Sequence, residues 1–389
     1  MKDRDVNDRK RAGATVDPDA PDVGSSSPAS SPAANPNRPA LRPLSELTGE
    51  AWSRMEARAR GDEGALPVPW SDLARVLDPL AVAPGPLHGP PALRPGVHVL
   101  VGGTGSGKTQ LALGLALAAA RAGHPVGYVG LELDPVGVVA RLAALEWARR
   151  RKREAVQPVE RWSVLDWPRT PTGVEALSRV RGAVADELDK LPLSLVFGDA
   201  RSSGAGFTAD DFGEVAAEVA KQGDRKRPAL VVLDFLQLLS GGGKDADDRE
   251  IRTRIARAAY QANNAARAGG CAVLLVSATA RDNYGALTLE LDKLPDPGGL
   301  VGYGKESGEI EYAATSVLIM ARGKDLPGDR LVAVAKNRHG GTGWAALGWD
   351  GSAFYDVPGR LDGMKAAAAA APTGNRRGGG TPTIKLEAD

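Results

Sequence analysis

Cysteine is nearly missing. Cys271 stands alone in 389 residues, so no disulfide can form within the chain, and its setting in the apolar run "GGCAVLLVSATA" reads as an inert buried thiol in a reducing compartment. Histidine is almost as scarce: His88, His98, His124 and His339 show no ligand spacing, which excludes a structural zinc site of the usual kind. No apolar run approaches the roughly 18 residues needed to span a bilayer. The N-terminal stretch "MKDRDVNDRKRAGATVDPDAPDVG" lacks the hydrophobic centre of an export signal. The expectation is a cytoplasmic protein with no membrane partner. Net charge is also lacking, at +1 overall, so nucleic-acid binding has to rest on local groups rather than on a basic surface.

What is present is the composition of a globular chain, 42% hydrophobic and 25% charged. Residues 1–40, rich in Asp, Pro, Ser, Ala and Arg, cannot bury enough surface to offset their ordering entropy and are expected to form a disordered arm. Residues 357–389 read as a disordered tail by the same reasoning. Residues 41–66 hold a short helix and a linker: Leu44, Leu47, Ala51, Trp52, Met55 and Ala59 share one helical face. That face can pack on its own domain or on a neighbouring subunit, and the pattern leaves both open.

Over residues 67–356 apolar strands alternate with amphipathic helices. "GVHVLVGG", "PVGYVGLEL", "LSLVFGD", "PALVVLDF" and "AVLLVSA" are the strands. Helices are expected over 108–122, 135–153, 171–190, 210–222 and 248–268. This order predicts an α/β layer fold with a largely parallel sheet. The later runs "TSVLIMAR", "RLVAVAK" and "GWAALGW", joined by short turns, predict antiparallel edge strands.

"GGTGSGKT" fits G-x-x-x-x-G-K-[ST] and lies between a strand and a helix. Gly102, Gly103, Thr104, Gly105, Ser106 and Gly107 form a loop whose backbone N–H groups can turn around phosphate oxygens, and Gln110 continues into the helix whose N-terminus adds its dipole. Lys108 is placed to neutralise the β- and γ-phosphates of ATP, and the Thr109 hydroxyl to ligate Mg²⁺. Asp234 ends the apolar run "ALVVLDF", where ligands sit in open α/β sheets. An acidic group there can hold a water of the Mg²⁺ shell, although an isolated Asp in that position is more often a turn or cap. Glu132, after "VGYVG", can orient and deprotonate a water attacking the γ-phosphate. The other reading of that segment, a helix cap, suits Asp134 better. Near the end of the chain, Lys336 and Arg338 in "AKNRHGG" lie two apart on a strand and so point toward one place. By themselves they read more often as charged guards of an edge strand.

Three strings in order, "GGTGSGKT", "GLELDPVGVVARLAAL" and "LVVLDFLQLLSGGGK", resemble the RecA-like ATPase domain of DnaB-type replicative helicases. "GKESGEIEYAATSVLIM" and "AKNRHGGTG" resemble two further segments of that family. The likeness covers residues 67–356. It implies a RecA-like P-loop core, Glu132 as general base, and Asp234 with Thr109 at the metal. Lys305, Glu306 and Gly308 would lie at a turn touching the DNA backbone, with Lys244 on a second pore-facing loop. Lys336 and Arg338 would reach across a subunit boundary to a neighbour's γ-phosphate. The implied protein is an ATP-driven helicase, a homo-oligomer forming a hexameric ring on single-stranded DNA, with a primase or loader as a further partner.

One departure stands out. The family's γ-phosphate-sensing glutamine is replaced by Ser277-Ala278-Thr279, which leaves no amide at that place in the sequence and only the Thr279 hydroxyl as a substitute. Aromatic residues near the DNA segments are limited to Tyr284 and Tyr303, and Tyr303 reads either as a base-stacking or as a packed side chain. The competing reading is a KaiC-like regulatory ATPase of the same fold acting on proteins.

Overall fold

In the computed structural model the described residues are 42–60, 62–79, 89–154, 171–198, 206–240, 248–304, 307–324, 329–351 and 353–363. Most of both expected arms, and the candidate DNA-contacting residues Lys244, Lys305 and Glu306, lie outside them. The chain divides into two units, residues 1–53 and 54–389. Helix α1 (Leu44–Ala59) buries none of its residues, and Leu44, Trp52 and Met55 are exposed.

The rest of the chain runs β1 (Leu66–Pro67), α2 (Ser71–Leu77), β2 (Pro91–Leu93), β3 (Gly96–Gly102), α3 (Lys108–Arg121), β4 (Val126–Gly130), α4 (Pro135–Glu154), α5 (Pro171–Leu188), β5 (Leu193–Phe197) and α6 (Ala209–Ala220). It continues with β6 (Leu230–Asp234), α7 (Asp248–Gly269), β7 (Ala272–Ala278), β8 (Thr288–Leu289), α8 (Ser307–Ala313), β9 (Ser316–Gly323), β10 (Arg330–Asn337), β11 (Gly343–Trp349) and β12 (Phe354–Asp356). Ten strands form one sheet in the order β12-β11-β10-β9-β3-β7-β6-β4-β5, with β8 beside β9. From β9 through β3, β7, β6 and β4 to β5 the pairing is parallel, whereas β9, β10, β11 and β12 pair antiparallel. The expected mixture of parallel core and antiparallel edge is what forms.

The parallel strands are apolar on both faces because both are covered. Val97, Val99 and Val101 of β3 face a core shared with α6 and α7, while Leu100 faces a second core under α3 and α4. Helix α3 is apolar around its circumference, residues 110–120 being buried, as a helix enclosed on every side must be. α6 starts on a capping box in which the Thr208 hydroxyl accepts from Asp211 N–H and the Asp211 carboxylate accepts from Thr208 N–H. A buried carboxylate, Glu146, is held by Arg121 and Arg149, and Glu187 engages both arginines and Arg150. Unpaired, such a charge would cost several kcal/mol, so this network fixes α3, α4 and α5 together. Packing continues past the Asp356 boundary: Leu361 is buried, and Gly359 N–H donates to Asp72 at 2.9 Å.

Candidate functional site

The register of the sheet sets the site. Gly102 pairs with Ala278 and Gly130 with Asp234, so the carboxyl ends of β3, β7, β6 and β4 form one edge. Four candidates of the phosphate site gather there: Lys108, Thr109, Glu132 and Asp234. β4 stops at Gly130 rather than continuing to Glu132, which sits in a bend and is exposed. Asp134 accepts from Gly137 N–H at 2.6 Å, the contact of a residue capping α4. That use of Asp134 leaves Glu132 uncommitted to the cap.

The phosphate loop makes its turns with glycines. Gly105 and Gly107 have φ of +69° and +98°, a left-handed backbone that side chains disfavour. A Cβ on Gly107 would also come within 2.7 Å of the Phe354 ring. Lys108 Nζ donates to Gly102 O at 2.9 Å and Gly103 O at 3.1 Å. Burial holds its ammonium below the usual lysine range, while the charges of Asp234, Glu132 and Tyr284 act to raise it. Thr104 and Gly105 are exposed and Gln110 is buried in the first turn of α3.

Asp234 is 3% exposed. Burial raises its carboxyl above the ordinary range, and hydrogen bonds from Tyr128 and Thr109, with the charges of Lys108 and Arg141, oppose that rise. The Tyr128 hydroxyl donates to Asp234 Oδ2 at 2.6 Å, and burial first, then Asp234, holds its own proton well above the usual phenol range. Sequence reasoning missed Tyr128. The signal was a polar-tipped aromatic inside the apolar run "VGYVG", since a buried tyrosine hydroxyl needs a partner. Thr109 and Asp234 supply hard oxygen donors at one point, which fits Mg²⁺ and its preference for one or two protein ligands beside phosphate and water. Among the described residues no group of three or more His, Cys, Asp or Glu forms a metal cage.

At the end of β7 the structure corrects the expectation about the missing amide. Gln237, three residues after Asp234, accepts from Ala278 N–H at 3.2 Å and donates to Ser277 Oγ at 2.9 Å. An amide therefore does stand at this strand end, supplied by a different element. Thr279 is no substitute here, because it is buried and its hydroxyl donates to Tyr303 O. Tyr303 packs against the core, whereas Tyr284 lies on the phosphate loop, its hydroxyl 3.1 Å from Thr104 Oγ1.

Lys336 and Arg338 are not brought to this site. Lys336 pairs with Val317 at the start of β9, while Arg330, opposite Arg322, lies beside the phosphate loop. Six residues of strand, about 20 Å at the usual rise, separate Lys336 from that end. The two cations do converge, as their spacing predicts: Lys336 Nζ donates to Glu311 O, and Arg338 Nη2 to Tyr312 O at 2.9 Å. Burial and then Arg338 lower the Lys336 pKa, and Glu311 acts to raise it. Both cations thus hold carbonyls at the C-terminal end of α8, where a helix presents partial negative charge. Gly308, in the first turn of α8, is exposed.

The chain matches the family described as DnaB-like helicase C terminal domain over residues 93–355. No curated protein matches it. Among solved structures it is similar to one described as an ATPase domain, with a TM-score of 0.58 at 17% identity, covering 81% of this chain and 99% of that one. It is also similar to a DnaB-like replicative helicase described with its interactions with primase, with a TM-score of 0.55 at 17% identity over 82% of this chain and 68% of that one.

Proposed function

Because this chain belongs to the DnaB-like helicase C-terminal domain family, and is a nucleotide-binding, ATP-hydrolysing helicase of the DnaB type, we propose that it works as a ring on single-stranded DNA, with each nucleotide pocket completed by two copies. The observation that carries this reading is the separation along β10. Lys108, Thr109, Glu132 and Asp234 share one edge of the sheet, and Lys336 lies six residues of strand, about 20 Å, from Arg330, whose guanidinium touches the phosphate loop of its own chain. A pocket served by Lys336 and Arg338 is then that of another copy.

In this reading Gly102, Gly103, Thr104, Gly105, Ser106, Gly107 and Gln110 line the nucleotide, and Lys108 holds the β- and γ-phosphates. Thr109 and Asp234 hold Mg²⁺, whose chemistry is to neutralise charge on the phosphates. Glu132, exposed and near Lys108, takes the proton of the attacking water. Lys336 and Arg338 leave the α8 carbonyls to stabilise charge developing at the neighbour's γ-phosphate, as a cation supplied in trans does. Gly308, with Lys244, Lys305 and Glu306, is proposed to hold the DNA backbone, a contact that gives little sequence preference and marked salt dependence. Six copies in the ring and a primase partner belong to the same proposal, and a primase is what the similar replicative helicase is described with. The domain limits proposed are an arm over 1–40, helix and linker over 41–66, the ATPase domain over 67–356 and a tail over 357–389 whose first residues, through Leu361, pack on that domain. A regulatory ATPase acting on proteins is not favoured, because the family match spans the helicase domain.

The test is ATP turnover with and without an unstructured oligonucleotide at low salt. Turnover is expected to rise with the oligonucleotide and to lose that rise as salt increases. No stimulation from folded, assembled protein contradicts the proposal.

A further inference from the structure

A phosphate loop works by pointing N–H groups inward, so the carbonyls of the same peptides point outward and need donors of their own. Two arginines fill that need here. Arg322 Nη2 donates to Gly105 O at 3.2 Å, and Arg330 Nε donates to Ser106 O at 3.2 Å. They come from facing positions of β9 and β10, where two like charges directly opposite destabilise a sheet pair. Asp329, the carboxylate beside Arg330, is engaged by Arg360 at 2.9 Å and by Trp349 N–H at 3.3 Å. Arg330 Nη1 is turned onto Asp329 O at 3.0 Å, which fixes the guanidinium plane with Nε facing the loop. A pair of cations kept at a cost to the sheet, with both aimed at the outer rim of one loop, has a purpose at that loop.

We infer that Arg330 is a positioning residue for the nucleotide: by holding Ser106 O it fixes the Ser106–Gly107 peptide plane so that the Gly107 N–H faces the β-phosphate. The inference rests on the reading of Gly102–Thr109 as the nucleotide's phosphate loop. Peptide C=O and N–H point in opposite directions across a rigid plane, so anchoring one aims the other. Gly107, with φ +98°, has no side chain to hold that plane, and the anchor therefore has to come from outside the loop. Arg322 does the same for the Gly105–Ser106 peptide one step earlier. Both arginines act in cis, from the same chain as the loop, unlike Lys336 and Arg338.

The test is calorimetric binding of ADP and of AMP to the full chain carrying Arg330→Ala, Arg330→Lys or Lys108→Ala. AMP lacks the β-phosphate that the aimed N–H serves, so the ratio of the two affinities isolates the effect. Arg330→Ala is expected to weaken ADP about five- to tenfold, the worth of one charge-assisted hydrogen bond, and to leave AMP unchanged. Arg330→Lys is expected to recover part of the loss, because lysine can donate but lacks the planar fork. Should Arg330→Ala not fold, Arg330→Lys alone decides, with ADP expected about two- to threefold weaker. An unchanged ADP affinity, or an equal loss for ADP and AMP, overturns the inference. If Lys108→Ala fails to bind while Arg330→Ala binds normally, only this inference falls. If Lys108→Ala binds ADP normally, the nucleotide reading itself falls.

Discussion

The two ends of β10 carry cations with opposite circumstances. At the Arg330 end the guanidinium touches its own chain's phosphate loop and has the outward carbonyl of Ser106 to hold. At the Lys336 end the two cations hold carbonyls of a short helix, α8, at the edge of the sheet away from that loop. In the proposed ring, one strand then joins a group on its own phosphate loop to groups that reach a neighbour's pocket. α8 adds a second connection. Its leading side follows Gly304, which bridges to Thr279 at the end of β7, and its last carbonyls are those that Lys336 and Arg338 hold. In the proposed ring, six residues along one strand decide which copy's pocket a cation reaches.

The largest effect expected from breaking one end is with Arg338→Ala, which should lower kcat for ATP about a thousandfold or more, the usual worth of a cation supplied in trans. ATP affinity should stay unchanged. Lys108→Ala should do the reverse in kind and lose binding itself. Steady-state kinetics beside equilibrium binding of a non-hydrolysable analogue separates the two. If Arg338→Ala binds as poorly as Lys108→Ala, the ends do not differ as described.

A smaller effect sharpens the loop end alone. Tyr128→Phe removes a donor from a buried carboxylate and should weaken Mg²⁺-dependent activity roughly tenfold, as changes behind a metal ligand do. The sign of its pH effect follows from Asp234. Burial already raises that pKa, and the Tyr128 hydrogen bond opposes the rise. Without the hydroxyl the carboxylate protonates at higher pH, so the acidic limb of the activity profile should move upward. A limb that stays in place or moves downward removes Tyr128 from the site.

Much of this was legible in the sequence. Apolar runs bounded by glycine and charge marked the strands because parallel strands covered on both faces have no polar side to display. The phosphate loop and Asp234 could be found because backbone turns and strand ends dictate residue type locally. Tyr128, Gln237 and Arg330 could not be found that way. Their roles depend on partners far off in the chain, Asp234, Ala278 and Ser106 respectively, and only strand order brings those together. Thr279 was misjudged for the same reason, since its hydroxyl is claimed by Tyr303, brought alongside by the Thr279–Gly304 bridge.

The most direct measurement mixes Arg338→Ala chains with Lys108→Ala chains and follows ATP turnover after exchange between assemblies has been demonstrated. Each variant alone should be nearly inactive. Together they should recover hydrolysis, because an intact loop from one copy then meets an intact cation pair from the next. Mixed assemblies that remain as inactive as either parent would mean that loop and cation pair serve a single chain, contradicting the account.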